Sequence, residues 1–433
     1  MTGGKEIQKK ASIGNGSGKG KNKKNKTKNK RGGNKRKTAP EQSSAHTSVC
    51  EWVFLDQKSS SKNLDGDFLV HRNQRRENLV FEMHCHSTHS DGFLPPSKVV
   101  ERAHQNGVKV LSLTDHDTLS GIPEALEAAS RFGIKIIPGV EVSTIFFPRG
   151  EPGSEEHVHI LAYYSSCGPT KADKVEKMLH DIKEGRFVRA KNMVSKLNQL
   201  KFPLKWEAVL RIAGKDAAPG RVHVARAMVE AGYVENLKQA FAWYLYDGGP
   251  AYATGSEPVA EEAVKLICET GGIAVLAHPW TLKNPVAITR RLKEAGLQGI
   301  EAYRSDGKVE PYSNLADTYD LVKLGESDFH GKFGEYESEL GSVSLPVLAV
   351  HEFLKRARPI WRRAIADILE NYVDHPTESN FQLIKKYCGR PMRSGSANEF
   401  ITQCLSSWLT NEERQNAEFD AIKLKVSGMS IDT

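Results

Sequence analysis

From residue 77 onward, the sequence alternates between short apolar runs and longer amphipathic stretches. Runs such as residues 109–114 (KVLSLT) are typical of buried strands, whereas residues 95–106 begin with proline and end before Gly107, as helices often do. Repetition of this strand–helix unit favours an α/β fold with a parallel sheet, either open or closed into a barrel. The predicted strands are residues 79–84, 109–114, 135–143, 157–164, 273–277, 299–303 and 323–327.

Two regions lack this alternation. Residues 170–255 show mainly helical periodicity, so we predict a helical subdomain inserted into an α/β domain that spans residues 77–345. Residues 346–433 are predicted to form a helical C-terminal extension. Residues 46–76 show no clear pattern and are left without an assigned element, although 49–55 is apolar enough to pack against another part of the protein.

The charge of the chain is distributed unevenly. Residues 1–37 hold 14 Lys and Arg residues and one acidic residue, whereas the other 396 residues hold 47 basic and 52 acidic residues. A body of slightly negative charge argues against a surface devoted wholly to nucleic acid. Residues 1–45, composed mainly of small and polar residues, are predicted to be a disordered basic tail. This tail has three possible roles: a nuclear import signal, non-specific contact with RNA, or a solubilising segment.

Cysteine usage and hydropathy indicate an intracellular protein. The six cysteines are scattered, none lies in a CxxC pair, and their density is far below that of disulfide-rich secreted domains. No apolar run approaches the roughly 18 residues of a membrane helix, and the N-terminus lacks the apolar segment of a secretory signal. We therefore expect a location in the nucleus or the cytoplasm and no membrane partner, and the basic tail favours the nucleus.

Histidine and carboxylate residues recur where predicted strands end. The segments concerned are HCHSTHSDG (84–92), TDHD (114–117), PGVE (138–141), HVH (157–159), AHP (277–279) and SDFH (327–330). In an extended chain His84 and His86 point to the same side, because side chains alternate with a period of two. The ends of parallel barrel strands converge on one face, so we expect these residues to meet there.

A set of this composition predicts a metal site. Mixed imidazole and carboxylate ligands suit Zn, Mn or Fe better than Ca or Mg. Each residue alone has a structural alternative, since strand-end aspartates such as Asp115 cap helices and His278 precedes a proline in a turn. The joint recurrence favours metal binding, because buried imidazoles and carboxylates are costly unless they are paired.

These motifs resemble those of the PHP (polymerase and histidinol phosphatase) superfamily of metal-dependent phosphoesterases over roughly residues 79–346. The resemblance implies a distorted (β/α)7 barrel that holds two or three divalent ions, Mn, Zn or Fe, at its C-terminal mouth. It also implies the ligands of these ions: His84, His86, Asp91, His116, Glu141, His159, His278, Asp328 and His330.

Within this superfamily, the sequence looks most like the branch of 3′,5′-nucleoside bisphosphate phosphatases, through its TDHDT motif and its helical insertion. The implied activity is hydrolysis of nucleotide phosphate esters by a metal-activated hydroxide. The same site allows an alternative, a 5′-3′ exoribonuclease acting on short or structured RNA 5′ ends. A hypothesis of another class is a non-catalytic RNA-associated scaffold that acts through the basic tail. The sequence does not indicate an oligomeric state.

Two further residues are candidates for direct participation in catalysis. Asp117 and His89 lie close in sequence to the implied ligands but are not among them. We interpret each as a group that holds a ligand in place or donates a proton.

Substrate binding is predicted to use the insertion. Arg189, Arg221 and Arg226 are candidate phosphate clamps because a guanidinium group matches phosphate oxygens in a bidentate manner, and the alternative for each is a solvated helix face. His223 is a candidate contact to phosphate or to the metal mouth. Residues 240–246 (AFAWYLY) would suit a nucleobase platform, but aromatic residues at helical spacing favour a core.

Overall fold

The structure is a computed structural model that describes residues 40–55, 79–148, 155–215, 217–325, 327–332, 338–388 and 397–427. Most of the predicted basic tail, residues 1–39, lies outside this part of the chain. The same holds for residues 56–76 of the stretch without an assigned element.

Eight strands in the described residues form two sheets. In chain order they are β1 (Val80–Cys85), β2 (Val108–Leu113), β3 (Lys135–Ile136), β4 (Gly139–Phe146), β5 (Glu156–Tyr163), β6 (Ile273–Leu276), β7 (Gly299–Tyr303) and β8 (Val322–Gly325). The first sheet has the order β1-β2-β3 and the second β4-β5-β6-β7-β8. The strand predicted over 135–143 is interrupted before Gly139, where Pro138 cannot donate to a ladder hydrogen bond.

Fifteen α-helices accompany these strands in the described part of the chain. They are α1 (Pro40–Val53), α2 (Pro96–Gln105), α3 (Ile122–Phe132), α4 (Ala172–Gln199), α5 (Trp206–Ala213), α6 (Arg221–Glu230), α7 (Leu237–Ala240), α8 (Ala260–Glu269), α9 (Pro285–Ala295), α10 (Glu310–Thr318), α11 (Val347–Asp374), α12 (Glu378–Cys388), α13 (Ala397–Trp408), α14 (Asn411–Arg414) and α15 (Ala417–Ser427). A π-helical turn, Phe241–Leu245, follows α7, and a 3-10 turn, Pro279–Thr281, follows β6.

The expectation of a wholly parallel sheet is wrong. Strand β5 pairs antiparallel with both β4 and β6, whereas β1–β2, β2–β3, β6–β7 and β7–β8 are parallel. The cause is the short connection between β4 and β5, because a parallel crossover needs a dozen or more residues and usually contains a helix. His159 therefore lies near the beginning of its strand, opposite Ser143 of β4.

The fold is of the mixed α/β class, but a closed barrel is not confirmed. The two sheets remain separate, and eight strands replace the seven implied by the resemblance. Isolated bridges join them at two places, Cys85 to Phe329 and His116 to Glu141. His116 and Glu141 are predicted ligands, and Cys85 and Phe329 are each next to predicted ligands in the sequence. The two sheets therefore meet at the predicted metal site.

Amphipathic helices cover the sheets, and the insertion has a core of its own. Helix α3 buries Ile122, Ala125 and Ala129, which lie on one face at spacings of three and four residues. Helices α4 to α7 pack around a separate cluster that includes Met193 and Met228. Within the insertion, α6 ends at Glu230 and α7 begins at Leu237.

The predicted boundary of the tail at residue 45 is wrong. Helix α1 begins at Pro40, and the side chain of Trp52 within it is fully buried. The Trp52 ring lies 6.3 Å from Trp361 of α11 and 5.5 Å from Trp408 of α13. The Lys135 ammonium lies 4.6 Å above the Trp52 ring. These contacts connect α1 to helices α11 and α13.

A disulfide within residues 346–433 was not anticipated from the cysteine spacing. It joins Cys388, the last residue of α12, to Cys404 of α13, with Cα atoms 5.9 Å apart.

In the described residues, no helix combines the length and the hydropathy that a membrane span requires.

The tryptophan cluster generates a stability prediction. Trp361 is 1% exposed, and its indole N–H donates to the Tyr163 carbonyl at 3.1 Å. Trp361→Ala should therefore destabilise the protein by about 3–5 kcal/mol, through lost contacts and a cavity. Trp243→Ala, at a site 53% exposed, is the matched control and should change stability by about 0.5 kcal/mol or less. Urea unfolding followed by circular dichroism measures both, and equal losses would contradict this packing scheme.

Candidate metal centre

The first two predicted ligands lie at the end of β1. His84 is its penultimate residue and His86 follows the strand directly, and both side chains are fully buried. Their Nε2 atoms are 3.1 Å apart, as expected for side chains two positions apart in extended chain. Gly92 allows the following loop to fold back, because a Cβ atom there would lie 2.7 Å from the His86 carbonyl group.

One buried carboxylate, Glu141, is surrounded by five imidazoles. Its Oε2 atom lies 3.1 Å from His84 Nε2, 3.2 Å from His86 Nε2 and 3.2 Å from His116 Nδ1. Its Oε1 atom lies 2.8 Å from His159 Nδ1 and 2.9 Å from His278 Nε2. These five histidines come from segments far apart in sequence, so the arrangement depends on the whole α/β domain.

Two aspartates complete the cluster on the side of His330. Asp91 Oδ1 lies 3.2 Å from His330 Nε2 and 3.9 Å from His116 Nε2. Asp328 Oδ1 lies 3.2 Å from His86 Nε2. The structure thus brings together all nine residues that the resemblance implies as ligands.

Backbone strain is concentrated in the same loops. Asp117, His278 and Asp328 have φ angles of 55°, 26° and 48°, in the left-handed region that non-glycine residues rarely adopt. Such residues persist only where surrounding contacts hold them, and they cluster at functional sites. Here the backbone N–H of Asp117 donates to the Glu141 carbonyl, and that of His278 donates to Glu301.

The donor set fits divalent cations. Three overlapping groups each place their ligand atoms within 4.8 Å of one another: His86, Asp91, His116 and His330; His84, His86 and Glu141; and His116, Glu141 and His159. Two buried atoms of these groups, Asp91 Oδ1 and His116 Nδ1, lie 3.2 Å from a neighbouring ionisable group, but the angles in the described residues do not suit a hydrogen bond. A metal ion binds to ligand atoms that converge on one point and are not used in hydrogen bonds. A mixture of nitrogen and oxygen ligands suits Zn, Mn or Fe.

The buried carboxylates of the cluster also require positive charge beside them. Burial by itself would raise the pKa of the Glu141 and Asp328 carboxyl groups, but the facing imidazoles hold both pKa values well below their usual range. Burial likewise opposes protonation of His86, yet Asp328 and Glu141 raise its pKa to about 10. Ionised carboxylates inside the protein are stable only beside positive charge, which either protonated imidazoles or bound metal ions supply.

Three buried carboxylates that were not predicted as site residues hold the ligands in place. Glu301 Oε1 lies 3.0 Å from His84 Nδ1, and its Oε2 accepts the backbone N–H of His278 at 2.6 Å. Glu82 accepts the backbone N–H of His84 at 3.4 Å, and Asp115 accepts that of Ser87, the residue after His86, at 2.7 Å. No local motif marked Glu301, whose role follows from its contact with His84, since a histidine ligand commonly donates its other N–H to a carboxylate.

Asp117 forms an ion pair with Arg186, which the sequence analysis did not identify. Its Oδ1 accepts the backbone N–H of Ser143 at 2.7 Å, and its Oδ2 accepts Nε–H of Arg186 at 2.6 Å. Arg186 further donates to the Ser143 hydroxyl at 2.6 Å. His89, the other candidate for catalysis, contacts instead Ser120, whose hydroxyl lies 2.8 Å from its Nδ1. Arg186 gave no motif signal because it lies mid-helix in α4.

The four predicted substrate residues have different surroundings. Arg189 is buried and paired with Glu257, and Arg221 is paired with Asp247. His223 is buried, and its Nδ1 accepts the backbone N–H of Gly220 at 2.9 Å. The Arg226 guanidinium lies 4.2 Å above the Phe93 ring, and no acidic group of the described residues lies within ion-pair distance of it. Of these residues, Arg226 is the cation most available to an anionic ligand.

Comparison with known proteins agrees with this geometry. Residues 82–206 match the PHP domain family. A protein of Chromobacterium violaceum named 3′,5′-nucleoside bisphosphate phosphatase is 33% identical over 297 residues, which cover 66% of this chain and 97% of the relative. The chain belongs to the PHP family. The resemblance seen in the sequence motifs is thereby confirmed.

Other PHP proteins are similar over nearly their whole length. A protein of Haemophilus influenzae named 5′-3′ exoribonuclease is 34% identical over 59% of this chain and 92% of the relative. A proposed metal-dependent phosphoesterase from Bifidobacterium adolescentis has a solved structure with a TM-score of 0.56 and 28% identity, over 65% of this chain and 97% of that one. These comparisons therefore leave 41% and 35% of this chain without an aligned counterpart.

The contacts of Glu301 predict a defect in metal binding. Glu301→Gln removes the charge that orients His84 and should weaken Mn²⁺ binding by roughly 10- to 100-fold. Glu269→Gln, an exposed position in α8, is the matched control and should bind Mn²⁺ as the wild type does. Calorimetric titration of metal-depleted protein measures both affinities. Equal affinity of Glu301→Gln and wild type would show that this carboxylate is only structural.

Proposed function

We propose that this protein is a metal-dependent phosphoesterase that hydrolyses phosphate esters of nucleotides, with 3′,5′-nucleoside bisphosphates as its first substrate class. The observation that carries the proposal is the convergence of nine histidines and carboxylates on one buried site around Glu141. The names of its relatives, phosphatase and exoribonuclease, support the same reaction class.

The cofactors of the proposed enzyme are two or three divalent ions, Mn, Zn or Fe. The three overlapping ligand groups support this number, because His86, His116 and Glu141 each belong to two of them. Bound divalent ions would lower the pKa of water and offset the negative charge of a phosphoryl group. All nine residues of the cluster are proposed to hold these ions.

The protein itself must hold the phosphate ester against this centre. Arg226 is the best-supported phosphate clamp of the predicted set, because it is partly exposed, lies on Phe93 beside the Asp91 loop and keeps its guanidinium unpaired among the described residues. Arg189 is the least supported, since its guanidinium is buried against Glu257. Arg221, which is partly exposed, and His223, which is buried, remain candidates.

Asp117 is better supported as a positioning residue than as a proton donor. Both of its oxygens already accept N–H groups, one from Ser143 and one from Arg186. It thereby orients Arg186 as a further cation near the predicted ligands, in a geometry suited to phosphoryl oxygens. A role of His89 in donating a proton to the leaving oxygen stays a prediction.

Two alternative functions remain. A 5′-3′ exoribonuclease acting on short or structured RNA 5′ ends uses the same reaction at the same site and is supported by the name of the Haemophilus relative. A non-catalytic RNA-associated scaffold is disfavoured by the intact cluster. Contact of the basic tail with RNA and its action as a nuclear import signal stay predictions, since residues 1–39 lie outside the described part of the chain.

Phosphate release tests the proposed function. Wild-type protein with added Mn²⁺ should release phosphate from adenosine 3′,5′-bisphosphate, and Asp328→Ala should lower kcat by at least about 10³-fold, because the variant loses a carboxylate of the metal cluster. The control is Asp173→Ala, an exposed position in α4, which should keep full activity. Metal content is measured in parallel. Metal-loaded wild type without phosphate release, or an Asp328→Ala variant with unchanged turnover, would contradict the proposal.

The unpaired guanidinium of Arg226 gives a second prediction. Arg226→Ala should raise KM for adenosine 3′,5′-bisphosphate by roughly 10- to 100-fold, as expected for the loss of one charge-assisted contact to phosphate. Arg226→Lys keeps the charge but not the bidentate geometry, so its KM should lie between those of the wild type and Arg226→Ala. Arg211→Ala, at an exposed site in α5, serves as control. An unchanged KM for Arg226→Ala would remove this residue from the substrate site.

A further inference from the structure

Helix α4 connects two separate hydrophobic clusters. Its first half contributes Leu179 and Ile182 to the core of the α/β domain, and its second half contributes Met193 and Leu197 to the core of the insertion. Arg186 lies between these halves, and its side chain is 10% exposed. A guanidinium group held away from water at this boundary requires polar and charged partners there.

The guanidinium of Arg186 contacts three other segments. Its Nε–H donates to Asp117 Oδ2, in the loop after β2, and its Nη2 donates to the Ser143 hydroxyl of β4, each at 2.6 Å. Its Nη1 lies 3.2 Å from the position that a Cβ atom would take at Gly220, the residue before α6. One side chain of the insertion therefore connects α4 to two segments of the α/β domain and lies against the beginning of α6.

Both hydrogen-bond partners of Arg186 lie next to predicted ligands. Asp117 follows His116 directly, and Ser143 is two residues after Glu141 on β4, so the side chains of Ser143 and Glu141 face the same side of the sheet. The N–H of Asp117 donates to the Glu141 carbonyl at 2.9 Å, and its Oδ1 accepts the N–H of Ser143 at 2.7 Å. Arg186 thus completes a network that fixes the backbone of His116 relative to that of Glu141.

Arg186 is also the cation that compensates Asp117. The Asp117 side chain is 3% exposed, and its backbone has a φ angle of 55°. Loss of Arg186 would leave this buried carboxylate without its ion-pair partner and would remove a contact that holds a strained backbone in place. Relaxation of Asp117 would then move the adjacent His116.

We infer that Arg186 is a positioning residue of the metal centre, and that the affinity of the centre for divalent ions depends through it on the helical insertion. The inference rests on the proposed function, since it requires that His116 and Glu141 bind metal. It goes beyond a contact of Arg186 with phosphoryl oxygens, because such a contact alone would affect the binding of substrate and not that of the metal.

Calorimetric titration of the metal-depleted, full-length protein with Mn²⁺, in the absence of substrate, tests the inference. Arg186→Gln should weaken Mn²⁺ binding by roughly 10- to 100-fold, as loss of a group that orients metal ligands does. Arg186→Lys keeps the charge but not the guanidinium fork, so its affinity should lie between those of Arg186→Gln and the wild type. Ser143→Ala removes one acceptor and keeps the buried ion pair, so it should weaken binding by roughly 2- to 10-fold without exposing the fold to a lost charge. Lys174→Gln, at an exposed position of the same helix, is the control.

Thermal unfolding with and without Mn²⁺ separates positioning from a general structural role. At a fixed Mn²⁺ concentration, the rise in Tm should be smaller for Arg186→Gln than for the wild type, because weaker binding stabilises the folded state less. A residue that only stabilised the fold would lower the Tm of the metal-free protein and leave the Mn²⁺-induced rise unchanged.

Two results would overturn the inference and leave the proposed function intact. One is equal Mn²⁺ affinity of the wild type, Arg186→Gln and Ser143→Ala. The other is an Arg186→Gln variant that changes only the KM for adenosine 3′,5′-bisphosphate, since Arg186 would then contact phosphate alone. A wild type that binds Mn²⁺ but releases no phosphate would contradict the proposed function instead, and the measured affinities would still decide the role of Arg186. A wild type that binds no Mn²⁺ would contradict both.

Discussion

The structure of the α/β domain depends on the buried carboxylate of Glu141. An ionised carboxylate in the protein interior is strongly unfavourable unless positive charge and donors surround it. Five imidazoles do so, delivered by β1, by the loop after β2, by β5 and by the segment after β6. The isolated bridge between His116 and Glu141 joins the two sheets at this point. The fold of the domain therefore brings the residues of the proposed metal centre together.

A second layer of buried carboxylates makes this arrangement rigid. Glu301 orients both His84 and His278, and Asp115 fixes the loop after β1 through Ser87. The strained backbone at His278 is held by its N–H bond to Glu301, because a residue at positive φ keeps that conformation only when its surroundings require it. Rigidity of this kind places the ligands before any metal arrives, which is what catalysis by positioned cations needs.

The residues that converge on Glu141 could be predicted from the sequence because their pattern is local, whereas the missed features depend on tertiary contacts. The spacing of His84 and His86 follows directly from strand geometry. In contrast, Glu301 and Arg186 are recognised only from their partners, which are distant in sequence. The short connection from β4 was a local signal for the antiparallel placement of β5, whereas the burial of Trp52 in α1 depends on the residues that pack against it. Likewise, helical periodicity at 240–246 gave no indication of which rings would face solvent.

Crystallography of Mn²⁺-soaked protein, with anomalous scattering recorded at the manganese edge, tests the central claim most directly. The account predicts two or three anomalous peaks among the nine converging residues, with Glu141 bonded to at least one of the ions at about 2.0–2.2 Å. It also predicts that Glu141→Gln, which removes the charge at the centre of the cluster, loses these peaks or weakens them strongly. Active protein with peaks elsewhere and none beside Glu141 would contradict the account.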